Sequence, residues 1–178
     1  MHIRLDGQNE TYLTSELTSW EANTAANSWI DTKYLTVDQA NVTAITVQNG
    51  LGTLELVKDE SGSWKLADLA EGEQMNTSAA STLANRAATL TILQPLGKEE
   101  KELYGLSQPN ATVTLHTAEK TVTWQVGNKF TENSSYAVKS SESPYYVQVN
   151  EYSVKELVEK TRDGLLQLPP TPTPESTG

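Results

Sequence analysis

Residues 104–149 constrain this chain more than any other stretch. They read YGLSQPNATVTLHTAEKTVTWQVGNKFTENSSYAVKSSESPYYVQV and hold four short runs in which apolar and polar residues alternate. A period of two is what a strand with one buried face requires. Polar clusters rich in turn formers separate the runs, so the stretch reads as a curled antiparallel meander. Its strands fall at 111–117, 121–126, 135–139 and 145–149, with Val113, Leu115, Val122, Trp124 and Val126 facing inward.

The rest of the chain arranges itself around that meander. HIRL at 2–5 and TYLT at 11–14 flank Asp6-Gly7 and read as a hairpin. Ser15 is a candidate cap for a segment with Leu17 and Trp20 at helical spacing, and 27–35 (NSWIDTKYL) reads as a crossing loop anchored by Trp29, Tyr34 and Leu35. Residues 41–47 alternate around Ile45 and Val47 and run into Asn49-Gly50, a strong hairpin signal because both residues tolerate positive φ. Strands at 52–58 and 63–67, joined by the Asp59-Glu60-Ser61-Gly62 turn, complete an antiparallel trio. Leu83, Ala87 and Leu90, beside Ala79, Ala80 and Ala84, predict a helix over 77–93, capped by Asn76, Thr77 or Ser78 and ended by Pro95 and Gly97. KEEKEL at 98–103 reads as a short charged helix, with Gly105 in a left-handed turn. An amphipathic helix follows over 151–162, and 169–178 (PPTPTPESTG) has the composition of a disordered tail or linker. The expected fold is α+β: a curved, largely antiparallel sheet of about seven strands, a helix packed on its concave face and a second helix at the C-terminal end.

Charge narrows the partners. The 178 residues carry 13 basic and 23 acidic side chains, a net charge of −10. The basic residues are spread singly, which disfavours a phosphate backbone or an anionic membrane surface. There is no cysteine, so disulfides, thiolate nucleophiles and cysteine–zinc sites are excluded. That absence fits an extracytoplasmic bacterial protein. No run approaches the ~18 apolar residues a membrane span needs, and no signal-peptide pattern opens the chain. Either the protein is cytoplasmic or a targeting segment has been removed; Met1 followed directly by a strand-like run favours the second. Five Asn-x-Ser/Thr sequons (Asn9, Asn41, Asn76, Asn110, Asn133) are what chance supplies in a chain this rich in Ser, Thr and Asn.

No catalytic constellation emerges. His2 and His116 are the two histidines, and His116 lies on the polar side of its strand beside Thr112 and Thr114. A catalytic histidine needs an orienting carboxylate and a nucleophile, which no motif here supplies. The patterns GxSxG, HExxH, GxxxxGK[ST], GxGxxG and the EF-hand loop are all missing. Glu99, Glu100 and Glu102 read as a solvated helix face. Asp59 and Glu60 near Gly62 suit a hairpin turn better than a calcium site, which needs more ligands. Trp64, Trp124 and Tyr136 alternate with Val and Leu and belong to the core. Tyr145 and Tyr146 are adjacent on one strand and point to opposite faces, so one of them is available as a contact surface. No catalytic residue, cofactor or metal is expected.

The chain also echoes itself. HIRLDGQNETYLTSEL near the start and YAVKSSESPYYVQVNEYSVKEL near the end both run strand, turn, strand, helix. Tyr12-Leu13-Thr14 lies on Tyr146-Val147-Gln148 at an offset of 134 residues (146 − 12). On this reading 1–36 is the tail end of a preceding repeat, 37–168 one complete repeat, and 169–178 a tail; recurrence by coincidence is the alternative.

The order VTAITVQ, GSWKL, an Ala-rich helix, YGLSQPNATVTL, WQVGNK, SYAVKS and YYVQV resembles the DUF4340 family of bacterial envelope proteins. The resemblance runs from about Val42 to Arg162. It rests most on Tyr104-Gly105-Leu106 with Pro109, on Val126-Gly127 and on the aromatic-ended strand at 145–149. It implies a protein anchored to the cytoplasmic membrane, with its repeats outside the cytoplasm and in some members beside ABC-type transport components, including those linked to gliding motility. It carries over no catalytic residue. The function expected is a non-enzymatic extracytoplasmic interaction or scaffold domain whose partners are other envelope or transporter proteins. The rivals are a module binding a small molecule or glycan in the concave face, and an enzyme with an unrecognised site.

Overall fold

A computed structural model describes residues 2–16, 18 and 28–167. The helix expected after Ser15 and the tail at 169–178 lie outside these residues. The chain divides into two compact units, Met1–Asp31 and Thr32–Gly178.

In the first unit β1 (His2–Ile3) and β2 (Tyr12–Leu13) pair antiparallel, with His2 opposite Leu13 and Ile3 opposite Tyr12. Gly7 supplies the positive φ of the intervening turn, +78°.

The second unit contains β3 (Lys33–Thr36), β4 (Val42–Asn49), β5 (Gly52–Lys58), β6 (Trp64–Leu66), helix α1 (Thr77–Ala88), β7 (Thr89–Thr91) and β8 (Gln94–Gly97). After a 3-10 turn at Glu102–Tyr104 come β9 (Ala111–Thr117), β10 (Thr121–Phe130), β11 (Ser135–Ser140), β12 (Tyr146–Asn150) and helix α2 (Glu151–Glu159). Eight strands form one open antiparallel sheet in the order β6-β5-β4-β9-β10-β11-β12-β8. The α+β class and the antiparallel meander are as the alternation predicts. The strand added to the expected seven is β8, whose Pro95 is tolerated because β8 lies at the edge.

Ile45, Val47, Leu56, Val113, Leu115, Val122, Trp124, Val126 and Val138 form one apolar face, and all are buried. Leu83, Ala84 and Ala87 of α1 and Val154 and Leu157 of α2 belong to the same core cluster. Small alanines let α1 lie close to the sheet. The Asn76 side chain caps its start by accepting from the Ala79 N–H at 3.1 Å. Its end is fixed by two long-range donors. The buried Trp124 indole Nε1–H donates to the Ala87 carbonyl at 3.0 Å, and the Val37 N–H donates to the Ala88 carbonyl at 2.9 Å. Carbonyls in a helix's last turn have no partner within the helix, so these two bonds set where α1 stops.

Five expectations change. The helix expected over 77–93 ends at Ala88, because Thr89–Thr91 pairs with Lys33–Thr36 as a strand. Leu90 stays buried in either form, since three residues after Ala87 fits the helical stripe and period two fits the strand. The crossing loop read at 27–35 therefore gives way to β3 from Lys33 onward. KEEKEL is not a helix: only Glu102–Tyr104 turns, as 3-10, because the segment has no apolar stripe to bury and Leu103 is exposed. The last helix ends at Glu159 rather than 162, and the Asn49 side chain donates to the carbonyls of Leu157 and Lys160 at its end. Asn49 itself closes strand β4 opposite Gly52, so the tight turn sits one residue later than the Asn-Gly pair suggests, at Gly50-Leu51.

The other face of the sheet is covered at one end. Tyr104, Leu106 and Ala137 form a second small core with Leu96, Phe130 and Tyr146 around it. Gly127 permits this, because a Cβ there would lie 1.9 Å from the Tyr104 carbonyl oxygen. Gly105 takes the left-handed turn expected of it, at φ +65°.

Arg162 ties 68–75 to the end of the chain. Its guanidinium grips both Glu73 carboxylate oxygens, at 2.8 and 2.6 Å, and one Asp68 oxygen at 3.0 Å. The hydrogen bonds from Arg162 pull the Glu73 carboxyl down to about 2 from 4.5. A carboxyl depressed by folding contributes stability above its unfolded value and loses it as pH falls through the folded one. Urea unfolding of the wild type is therefore expected to lose stability between pH 4.5 and about 2. Arg162→Gln should flatten that loss; an unchanged pH profile in the variant would show that the clamp is not its source.

Candidate interaction surface

Tyr145 and Tyr146, the residues expected to offer a contact surface, meet different fates. Tyr146 begins β12 and is half-buried. Its ring lies 5.6 Å from that of Tyr104, and its hydroxyl donates to the Glu100 carboxylate at 3.3 Å. Burial, with Glu100 beside it, raises the Tyr146 phenol above its ordinary value. Tyr145 precedes the strand, is 44% exposed, and has the Lys98 ammonium 4.9 Å from its ring centroid. Tyr145 is thus the member of the pair left facing solvent.

Its backbone leads to a residue that sequence reasoning treated only as a loop anchor. The Tyr34 hydroxyl donates to the Tyr145 carbonyl at 2.6 Å and accepts from the Ser140 N–H at 3.0 Å. One phenol on β3 thereby ties this strand to both arms of the β11–β12 hairpin, across more than a hundred residues of sequence. Burial raises the Tyr34 phenol, more than the Ser140 hydrogen bond lowers it.

Beside Tyr34 lies a cleft of about 390 Å³, lined by Tyr34–Asp38, Asn41, Thr117–Lys120 and Glu142. The far wall is the β9–β10 turn. It is held by the Thr117 hydroxyl, which donates to the Lys120 carbonyl at 2.8 Å and accepts from the Lys120 N–H at 3.0 Å. Asp38, Glu119 and Glu142 face one cation, Lys120, which is already paired with Glu142. The sequence signal for this site is the aromatic and β-branched content of Tyr34-Leu35-Thr36-Val37, which suits an extended strand.

The other candidates do not assemble with it. His116 is exposed, and its Nδ1 lies 3.3 Å from the Thr121 hydroxyl rather than beside a carboxylate. Asp59 uses its carboxylate within its own turn, accepting from Ser61 N–H, Ser61 hydroxyl and Ser63 N–H at 2.8, 2.6 and 3.0 Å. The Ser61 hydroxyl is the main reason the Asp59 carboxyl is held below its ordinary value. Elsewhere Arg86 stacks 4.1 Å from the ring centroid of the exposed Tyr152.

These features define an α+β domain whose open antiparallel sheet has its apolar face closed by its own helices and whose exposed aromatic and acidic groups sit on rims and edges. The family model described as a domain of unknown function, DUF4340, matches residues 1–109, and the chain belongs to that family. The matched span takes in Tyr104-Gly105-Leu106 and Pro109 and stops before Gly127. No curated protein and no solved structure matches the chain.

Tyr34→Phe should release the Ser140 N–H and the Tyr145 carbonyl at a cost of about 1 kcal/mol. Amide hydrogen exchange at Ser140 is expected to accelerate in that variant, while exchange in β9 stays as in the wild type. Unchanged exchange at Ser140 would show that the hydroxyl does not hold the hairpin.

Proposed function

We propose that this chain is a non-enzymatic interaction or scaffold domain of an anchored, transporter-associated envelope protein, acting outside the cytoplasm. The observation that carries the reading is the filling of the sheet's apolar face. Leu83, Ala84, Ala87, Val154 and Leu157 occupy the place where a small molecule or glycan would have to sit. The groups that remain for partners are of contact type: the exposed Tyr145, the acidic cleft beside Tyr34, and strand edges. A net charge of −10 weighs against a nucleic-acid partner, and a chain without cysteine carries no thiol to oxidise outside the cytoplasm. Family membership supports the envelope setting through the resemblance described above.

The repeat reading belongs with this proposal. The hairpins β1–β2 and β11–β12 are both antiparallel. His2 opposite Leu13 and Ile3 opposite Tyr12 answer to Val138 opposite Val147 and Lys139 opposite Tyr146. Domains arrayed as repeats present several copies of one contact surface, which suits scaffolding.

Chemical crosslinking in intact cells, followed by purification through a tag on this chain, should recover permease or ATPase-associated subunits of an ABC-type transporter. Recovery of unrelated cytoplasmic proteins alone, or protection of the tag from protease in spheroplasts, would overturn the reading.

A further inference from the structure

We infer that the open edge of β3 takes up an extended, lysine- or arginine-bearing segment of a partner protein as an added strand. This rests on the interaction-domain reading and names what the domain holds. β3 has one strand neighbour, β7. The Val37 N–H bonds to Ala88 on the β7 side, so the alternation of an antiparallel ladder turns the N–H and C=O of Thr36 the other way. That other way is the cleft. Tyr34, Leu35 and Thr36, three successive residues of β3, line it, and Val37 and Asp38 continue the wall beyond the strand. Side chains of a strand alternate between faces, so an unbroken run along a wall means that the wall is the strand's edge. An exposed edge is a template for pairing with another chain, and adding a strand is an established mode of peptide capture.

The cleft's charge selects the occupant. Asp38, Glu119 and Glu142 line it against Lys120 alone, and that ammonium is engaged by Glu142. A basic segment gains from this field and an acidic one is repelled. The chain's own C-terminal stretch is a poor occupant, since 169–178 contains four prolines and no basic residue. Proline cannot donate to a ladder. The edge is also preformed, because the Tyr34 hydroxyl fastens β3 to Tyr145 and Ser140. The strand has little ordering left to do when its partner arrives.

The test is an NMR titration of the whole ¹⁵N-labelled chain with three capped nonapeptides. One alternates Lys and Thr, one alternates Glu and Thr, and the third is the Lys-Thr peptide N-methylated at alternate residues. The Lys-Thr peptide should shift the Thr36 amide and those of 117–120. The Glu-Thr and N-methylated peptides should bind at least about tenfold more weakly. Glu119→Lys, an exposed change, should weaken the Lys-Thr peptide by about tenfold. Equal binding of the N-methylated peptide, or shifts confined to other surfaces, would overturn the inference. Concentration-dependent shifts at Thr36 without peptide would also overturn it, by assigning the edge to a second copy of this chain. Crosslinking with the Glu119→Lys chain separates the two claims. Undiminished recovery of transporter subunits by that variant would sink the strand-addition site and leave the scaffold reading standing.

Discussion

One buried hydrogen bond organises this domain. The Trp124 indole, wholly out of solvent in the middle of the sheet, donates to the Ala87 carbonyl at the end of α1. An indole N–H cannot be left unpaired there without a penalty of about 1–3 kcal/mol, and neither can the last carbonyls of a buried helix. Each satisfies the other, so helix and sheet can close in one register. The consequences run outward from that point. Because α1 stops at Ala88, residues 89–91 are free to extend, β7 forms, and β3 has something to pair with. The edge of β3 and the cleft beside it exist because the helix ends where it does.

The parts legible in sequence were those written locally. Alternation around Val113, Leu115, Val122 and Trp124 placed the meander, and the Leu83–Ala87 stripe placed the helix. The parts that were not legible depend on distant partners. Leu90 obeys both the helical and the extended period, and only pairing with Leu35, more than fifty residues earlier, decides between them. Tyr34 reads as an ordinary loop aromatic until the β11–β12 hairpin arrives beside it. Gly127 reads as a break in a strand, whereas its role is to admit the Tyr104 backbone. The Tyr145-Tyr146 pair was readable as two residues with different surroundings, but which of them faces solvent followed from Tyr104 and Glu100 packing on Tyr146.

That last contact also gives the resemblance to DUF4340 a physical meaning. Tyr104-Gly105-Leu106 and Val126-Gly127 are far apart in the chain yet touch: the tyrosine carbonyl lies over the glycine, and Leu106 reaches into the same cluster. The motif thus closes the second face of the sheet. With one face taken by α1 and α2 and part of the other by this small core, exposed groups such as Tyr145 and the edge of β3 lie along strand edges and turn rims.

The central claim, that the helices close the apolar face as a permanent core, is tested most directly by hydrogen exchange of the Trp124 indole proton followed by NMR across a series of urea concentrations. This proton is expected to exchange only through global unfolding, with the same denaturant dependence as the unfolding transition. Exchange that is orders of magnitude faster and insensitive to denaturant would mean that α1 lifts from the sheet in the native state, and would contradict it.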